Sequence, residues 1–295
     1  MRTLNSVLEE YRGKKVFLID NLWYMHKCYS VMSDFQNADG YKTGHLYGMA
    51  NLITNITTNF EDALILICED CGSSDRKQLD ESYKANRHQM FSFHSLFSFE
   101  RNLFQDVPNV FFCYSEGFEA DDVLFSVSRI KDYDNEFIIF SGDNDLLQAL
   151  DDSTKIVRKI VGDRFTIEIN QGDDYYNKTY ESLLPSQIPV FRAIVGDKSD
   201  NLQPIIYRFP RKVAKLFAKN YDSQSDDGVS ELSEKERNLY NQVPLCDRFH
   251  NNLDIMRLKP VDCSIRDKDY KYTSRDVAGY LQLFKFRDYL IKRGW

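Results

Sequence analysis

The sequence has no apolar run long enough to cross a bilayer. Its longest, VFLI and ALILIC, fall far short of the roughly 20 residues a spanning helix needs, which excludes a helical membrane protein. A surplus of positive charge is also missing. With 38 basic and 45 acidic residues the formal charge is −7, so the chain as a whole lacks the signature of a simple nucleic-acid binder. Six scattered cysteines (Cys28, Cys68, Cys71, Cys113, Cys246, Cys263) in 295 residues make no disulfide framework, and a chain of this size needs none. Cys68 and Cys71 form one CxxC with no second pair and no HxxxH, which favours buried strand-end thiols over zinc. The polar start, MRTLNSVLEEYRGKK, carries two glutamates and no apolar core before a cleavage site, unlike a signal or transit peptide; the expected location is cytoplasmic. No internal repeat or long low-complexity tract is present.

What the chain does have is the balance of a globular protein, 28% charged and 42% apolar, with a length suited to about two domains. Short apolar segments at 15–19, 63–68 and 137–140 read as strands, each followed almost at once by aspartate. Amphipathic stretches at 46–60 and 123–130 lie between them. Alternation of this kind predicts βαβ units and a mainly parallel sheet covered on both faces. Ligand sites in open α/β sheets form beyond the carboxyl ends of the strands, so Asp20, Asp70, Asp143 and Asp145 are expected to converge there. From about residue 179 the pattern becomes mostly helical: a helix over 185–195, Gly196 as its stop, the loop GDKSDN, then the basic helix RKVAKLFAKN. The tract 222–236, rich in Ser, Asp and Glu, reads as a solvated insertion or mobile loop.

Nine carboxylates stand in four clusters: Asp20 with Asp70; Glu119, Asp121 and Asp122 in FEADD; Asp143 and Asp145 in SGDND; Asp197 and Asp200 in GDKSD. Aimed at one rim, they would repel each other by several kcal/mol unless cations or protons neutralise them. Taken singly, each has a plain explanation in helix capping, the helix dipole or a turn. Capping does not account for all four falling at predicted strand ends or adjacent loops. Hard divalent ions do, and a pair of them can activate water and stabilise the leaving oxygen of a phosphodiester. Set aside, the nine leave 36 acidic against 38 basic residues, so the remainder can still offer a basic face to a phosphate backbone.

The stretches LIDNLWYMHK, Asp70 through YKANR, GFEADDVL, FSGDNDLLQAL and PSQIPVFRAIVGDKSDNLQPI resemble, in order and over about residues 15–217, the structure-specific 5′-nuclease family. That family comprises flap endonucleases, the 5′-nuclease domains of bacterial DNA polymerases and the bacteriophage 5′-exonuclease or RNase H branch; this chain is most similar to the last. The resemblance implies an α/β PIN-like catalytic domain over 1–178 with a mainly parallel central sheet flanked by helices. An arch or gateway lies at about 88–118, and a mostly helical, helix-three-turn-helix-like, duplex-binding domain spans 179–295 with the polar insertion 222–236. It implies two Mg²⁺ or Mn²⁺ ions, Asp20, Asp70, Asp121 and Asp143 around the first, Asp145, Asp197 and Asp200 serving the second, and Glu119 and Asp122 filling out the shells. Glu69 competes with Asp70 for its place; the spacing to Arg76 and Tyr83 favours Asp70.

By the same resemblance, Lys84 and Arg87 are the basic pair at the scissile phosphate, Tyr83 stacks on a base, and Arg76 belongs with the nucleic-acid-binding residues. The arch departs from the family in being aromatic (Phe91, Phe93, Phe97, Phe99, Phe104) with few cations (Arg101, His88, His94), which sets threading of a free end against clamping. The phenylalanines are favoured as core over a stacking platform. Tyr207 and Phe209 stand where the hairpin glycines are expected, which leaves open a monovalent cation near residues 202–209. Arg208, Arg211, Lys212, Lys215 and Lys219 compensate through side-chain contacts with phosphates. The implied activity is a divalent-metal-dependent 5′-to-3′ exonuclease with flap endonuclease and RNase H activity in DNA replication. Its implied partners are 5′-flap, nicked or gapped duplex DNA and RNA–DNA hybrid, and it acts as a monomer in the host cytoplasm if phage-encoded. A single-strand-binding protein is a candidate partner for the aromatic C-terminal end, YLQLFKFRDYLIKRGW, whose other reading is completion of the C-terminal domain. Two alternatives stand beside this: a catalytically silent protein that binds branched nucleic acid, and a single-strand PIN-like ribonuclease.

Overall fold

The computed structural model describes residues 2–72, 76–85, 97–158, 171–267 and 272–295. Its centre is a six-stranded sheet: β1 (Lys15–Asp20), β2 (Leu64–Cys68), β3 (Val110–Tyr114), β4 (Glu136–Phe140), β5 (Thr154–Val157) and β6 (Ser264–Ile265). The spatial order is β5-β4-β1-β2-β3-β6, parallel throughout except for β6, which pairs antiparallel with β3. Near-continuous aliphatic and aromatic runs form these strands because both faces are buried. Val16, Leu18, Leu64, Leu66, Phe137 and Ile139 face one core, whereas Phe17, Ile19, Ile65, Ile67, Ile138 and Phe140 face the other. In register, Ile19 lies between Ile67 and Phe140, so β1, β2 and β4 end together. That common end brings Asp20 beside the segments after β2 and β4.

The first core joins the helices Leu4–Glu10 and Ala120–Ser128 to Ile188, Phe191, Phe217 and Leu253 of the helices Ile188–Val195, Arg211–Tyr221 and Asp247–Met256. Apolar packing therefore runs unbroken from the sheet into the region expected to be a second domain. The second core lies under the helices Asn21–Val31, Gly44–Asn59 and Phe97–Phe104, and the helices Ser274–Tyr280 and Phe284–Lys292 with the turn between them complete it through Val277, Leu281, Phe286 and Leu290. The aromatic C-terminal end thus completes the sheet's second face and not the helical region. It reaches that face by way of β6 at the sheet edge.

The expected arch, 88–118, contains β3 and a helix whose Phe97 and Phe104 are buried, Phe104 edge-on to Phe286 at 5.4 Å between centroids. Those two phenylalanines are core, as was favoured, whereas Phe99 is exposed. Phe91, Phe93, His88 and His94 lie outside the described residues. The 222–236 tract is not loop throughout: Leu232 is buried, and Ser233 and Glu236 exchange a capping box that opens the helix Glu234–Gln242. Among the described residues no helix is long and apolar enough to cross a membrane.

Candidate active site

Strand β1 lies where the strand order reverses, with β2 on one side and β4 on the other, the position at which a crevice opens in a parallel sheet. Asp20 closes that strand and caps the helix Asn21–Val31. One carboxylate oxygen accepts the Trp23 amide at 3.1 Å and the other the Ser141 hydroxyl at 2.7 Å. Ser141 follows β4, and its oxygen also accepts the Asp143 amide at 3.1 Å. Gly142 is needed here because a Cβ would lie 2.7 Å from the Trp23 indole. Asp70, after β2, accepts the Ala120 amide at 3.0 Å, which docks the start of the helix Ala120–Ser128 and aims Asp121 toward the same place.

Burial, with Asp70 and Asp143 adding and the Ser141 and Trp23 hydrogen bonds opposing, pushes the Asp20 carboxyl up to about 7. Burial, then Asp143 and Asp20, push Asp121 well above the carboxylate range. These are the marks of acids held together without enough positive charge. The donor set is all oxygen, which suits a hard divalent ion. As the side chains stand, no three acidic, imidazole or thiol groups among the described residues enclose an ion. A rim of this kind fits a hard divalent ion that keeps several waters and binds through one or two carboxylates plus substrate phosphates.

The residues expected to serve a second ion are arranged differently. Arg192, on the helix Ile188–Val195 and 5% exposed, reaches Asp145 with one guanidinium nitrogen and Asp197 with the other. Burial pushes Asp145 up to about 7 even though Arg192 pulls it down. Asp197 also accepts the Ser199 amide at 2.7 Å and hydroxyl at 2.6 Å, and it bridges Leu202 to close the GDKSDN loop. Gly196 enters that loop at φ +75°, and a Cβ there would meet the Pro204 nitrogen at 2.5 Å. Asp200 is buried, and its carbonyl accepts the Lys84 amide at 3.0 Å. The second-ion carboxylates therefore do not stand open together. Arg192 was not singled out by sequence reasoning; its signal is one charged residue inside the apolar run IPVFRAIV.

A second arginine plays a similar part. Arg76, 2% exposed, contacts Glu119 and binds Asp122 at 2.7 Å, while Asp122 also accepts the Lys259 amide at 2.9 Å. Arg76 is accordingly an internal counter-charge, and its burial removes it from the expected nucleic-acid surface. Tyr83 is likewise corrected. It is 4% exposed and packs with Leu202, Ile255 and Met256, with its hydroxyl 3.4 Å from Glu119, so no base can stack on it. Lys84 holds Glu119 at 3.1 Å from an unusual backbone at φ +56°. Burial would lower its ammonium, but Glu119, Tyr83, Asp121 and Asp200 together more than offset this and the pKa is raised. Asn201 donates to the Ser82 carbonyl at 3.0 Å, tying the GDKSDN loop to this turn. Arg87 lies outside the described residues. Glu69, fully buried, is held by Arg101 and Arg266 at 2.8 Å each, whereas Asp70 faces the rim. Cys71 hydrogen-bonds Glu116 and Arg266, each at 3.2 Å.

On the helical side, Arg208, Arg211, Lys212 and Lys219 are exposed and Lys215 half-buried, its ammonium donating to the Glu181 carbonyl at 3.2 Å. Where glycine was expected in the hairpin, Arg208 itself takes the left-handed conformation at φ +58°. Tyr207 is 78% exposed and Phe209 buried. A cavity of about 320 Å³ beside them is lined by Gly196, Lys198, Tyr207, Arg208 and Arg211 among others. Arg158, also missed from sequence, braces SGDND through the Gly142 carbonyl at 2.8 Å and the Asn144 side chain at 2.9 Å.

A family model described as 5′-3′ exonuclease, N-terminal resolvase-like domain, matches residues 15–179. The chain is 26% identical over 298 residues to a 5′-3′ exonuclease of Buchnera aphidicola, covering 94% of this chain and 98% of that one. It is 31% identical over 215 residues to a 5′-3′ exonuclease of Mycoplasmopsis pulmonis, covering 72% and 68%. To the DNA polymerase I of Caldicellulosiruptor bescii it is 28% identical over 224 residues, 71% of this chain but 25% of the polymerase, so it spans about a quarter of that relative. Among solved structures, bacteriophage T5 5′-exonuclease with bound divalent zinc ions superposes with a TM-score of 0.58 at 17% identity, covering 95% and 99%. Human GEN1 in complex with Holliday junction DNA gives 0.59 at 13% identity, covering 98% and 70%. At such identities the likeness to these structures is one of fold.

Proposed function

The chain belongs to the 5′-3′ exonuclease family of divalent-metal-dependent nucleases, and from that premise we propose that it cleaves phosphodiesters at 5′ flaps, nicks and RNA–DNA hybrids during DNA replication, using Mg²⁺ or Mn²⁺. The observation that carries this reading is the convergence of Asp20, Asp70, Asp121 and Asp143 at one sheet end, with Asp20 and Asp121 pushed up by burial and by neighbouring Asp143. A divalent ion bound there supplies Lewis acidity and acidified water.

The protein's own part is placement and charge. Ser141 and the Trp23 amide fix the Asp20 carboxylate, and the Ala120 amide fixes Asp70, so the oxygens present a set geometry to the ion and the scissile phosphate. Lys84, oriented by Glu119, neutralises charge that develops on the phosphate. Arg208, Arg211, Lys212, Lys215 and Lys219 track the duplex backbone about the GDKSDN loop, and the loop's hydrogen bonds to the 82–84 turn couple that grip to Lys84. The test is to incubate end-labelled flap, nicked duplex and RNA–DNA hybrid with enzyme and Mg²⁺, then with chelator, and then with Asp143→Asn. Cleavage that needs the ion and Asp143 is expected. Cleavage that survives chelation sinks the mechanism, and tight binding without cleavage in either metal points to a silent binding protein.

A further inference from the structure

The two acidic groups at this rim do not fit divalent ions equally. Asp20, Asp121 and Asp143 make no salt bridge within 4.0 Å among the described residues, and burial together with neighbouring Asp143 raises the Asp20 and Asp121 carboxyls. Asp145 and Asp197 are bridged by a single guanidinium. That guanidinium cannot lose its proton in a protein, and its fork matches two carboxylates. Nor is it a surface arm that swings aside. Arg192 is 5% exposed on a helix whose neighbouring Phe191, Ala193 and Ile194 are core residues, and the Gly196 amide holds its carbonyl at 2.8 Å. Asp143 and Asp200 also act on it electrostatically, so it stands among the acids expected to serve a second ion.

We propose that Arg192 is the resident cation of the second position: it balances Asp145 and Asp197 and orders the GDKSDN loop, and the protein holds one tightly bound divalent ion, at the Asp20 end of the rim. A further divalent ion at Asp145 and Asp197 would stand beside a fixed positive charge that already occupies both carboxylates. This inference rests on the reading of the Asp20 group as an ion site, and its test separates the two.

The test is a count of Mn²⁺ bound to the full-length, substrate-free protein, by the loss of the free-ion electron paramagnetic resonance signal on titration. The wild-type protein is expected to bind one ion tightly, with any second at least about tenfold weaker. Arg192→Gln is expected to bind two with comparable affinity, and Arg192→Lys, which keeps the charge, to bind one. Two comparable ions on the wild-type protein overturn the proposal, and so does an Arg192→Gln protein, folded by circular dichroism, that still binds one. Should Arg192→Gln fail to fold, the wild-type and Arg192→Lys counts decide alone. Asp143→Asn tests the underlying reading separately. Loss of the tight ion supports the Asp20 location, whereas an unchanged single ion overturns that location and leaves the wild-type count standing.

Discussion

Asp20, Asp121 and Asp143 at the ends of β1, β4 and the start of the helix Ala120–Ser128 have no cation of their own within salt-bridge reach among the described residues, whereas Glu119 and Asp122 share Arg76, and Asp145 and Asp197 share Arg192. All seven are buried or part-buried acids in neighbouring motifs. The difference teaches that a carboxylate motif alone does not mark an ion site; what marks it is charge left unbalanced by the chain. Where an arginine is built in, the acids are structural, and removing the arginine harms the fold. Where none is, removing an acid harms the chemistry and relieves the fold.

The sharpest break of that contrast is in stability. Arg76→Ala leaves Glu119 and Asp122 buried without their guanidinium and is expected to cost about 3–5 kcal/mol, while Asp143→Asn, measured without metal, is expected to gain about 1 kcal/mol by easing repulsion on Asp20 and Asp121. Urea unfolding in chelator decides, and equal signs for the two variants would erase the distinction. Lys84→Ala is expected to lower the single-turnover cleavage rate by roughly 10². Because Arg76 remains on Glu119, its fold is spared, and an unchanged rate rejects the role given to Lys84.

A smaller effect concerns pH. The Asp20 carboxyl is raised from 3.8 to about 7, and that of Glu100, fully buried beside Asn21, is raised from 4.5 to about 8 by burial, with the Asn21 hydrogen bond opposing and Glu69 adding. Groups raised in the folded state hold protons that the unfolded chain has already released. Their contribution is complete below about pH 4 and is lost as pH rises to 7 for Asp20 and 8 for Glu100, at no more than roughly 1.4 kcal/mol per pH unit for each. Metal-free stability should therefore fall over that range. Saturating Mg²⁺ should cancel the Asp20 part and Glu100→Gln the other; a flat metal-free profile would contradict both. The smallest effect is expected on the basic helix, where Lys212→Ala should weaken duplex binding evenly across sequences and reduce the slope of log affinity against log salt by about 1. An unchanged slope would place Lys212 off the phosphate path.

The sheet's centre was legible because β1, β2 and β4 are apolar runs closed by aspartate, and the rim followed from their parallel alternation. β3 was missed although VFFCY is as apolar as its neighbours, because the segment fell inside the span assigned to the arch. β5 and β6 are too short to carry a period. Arg76 and Tyr83 looked like surface groups because local sequence does not reveal burial; the partners that enclose them, Asp122, Leu202 and Met256, are far along the chain. Arg192 escaped for the same reason, since nothing near FRAIV announces that its partners are Asp145 and Asp197.

The pairing of β6 with β3 and the seating of the helices Ser274–Tyr280 and Phe284–Lys292 over Phe104 have a consequence for biogenesis. A ribosome releases these pieces after everything they cover, so the part of the second core around Phe104 stays open until residues 264–290 have emerged. That face is thereby finished in a late, long-range closure step, after the rest of the sheet it rests on has been made.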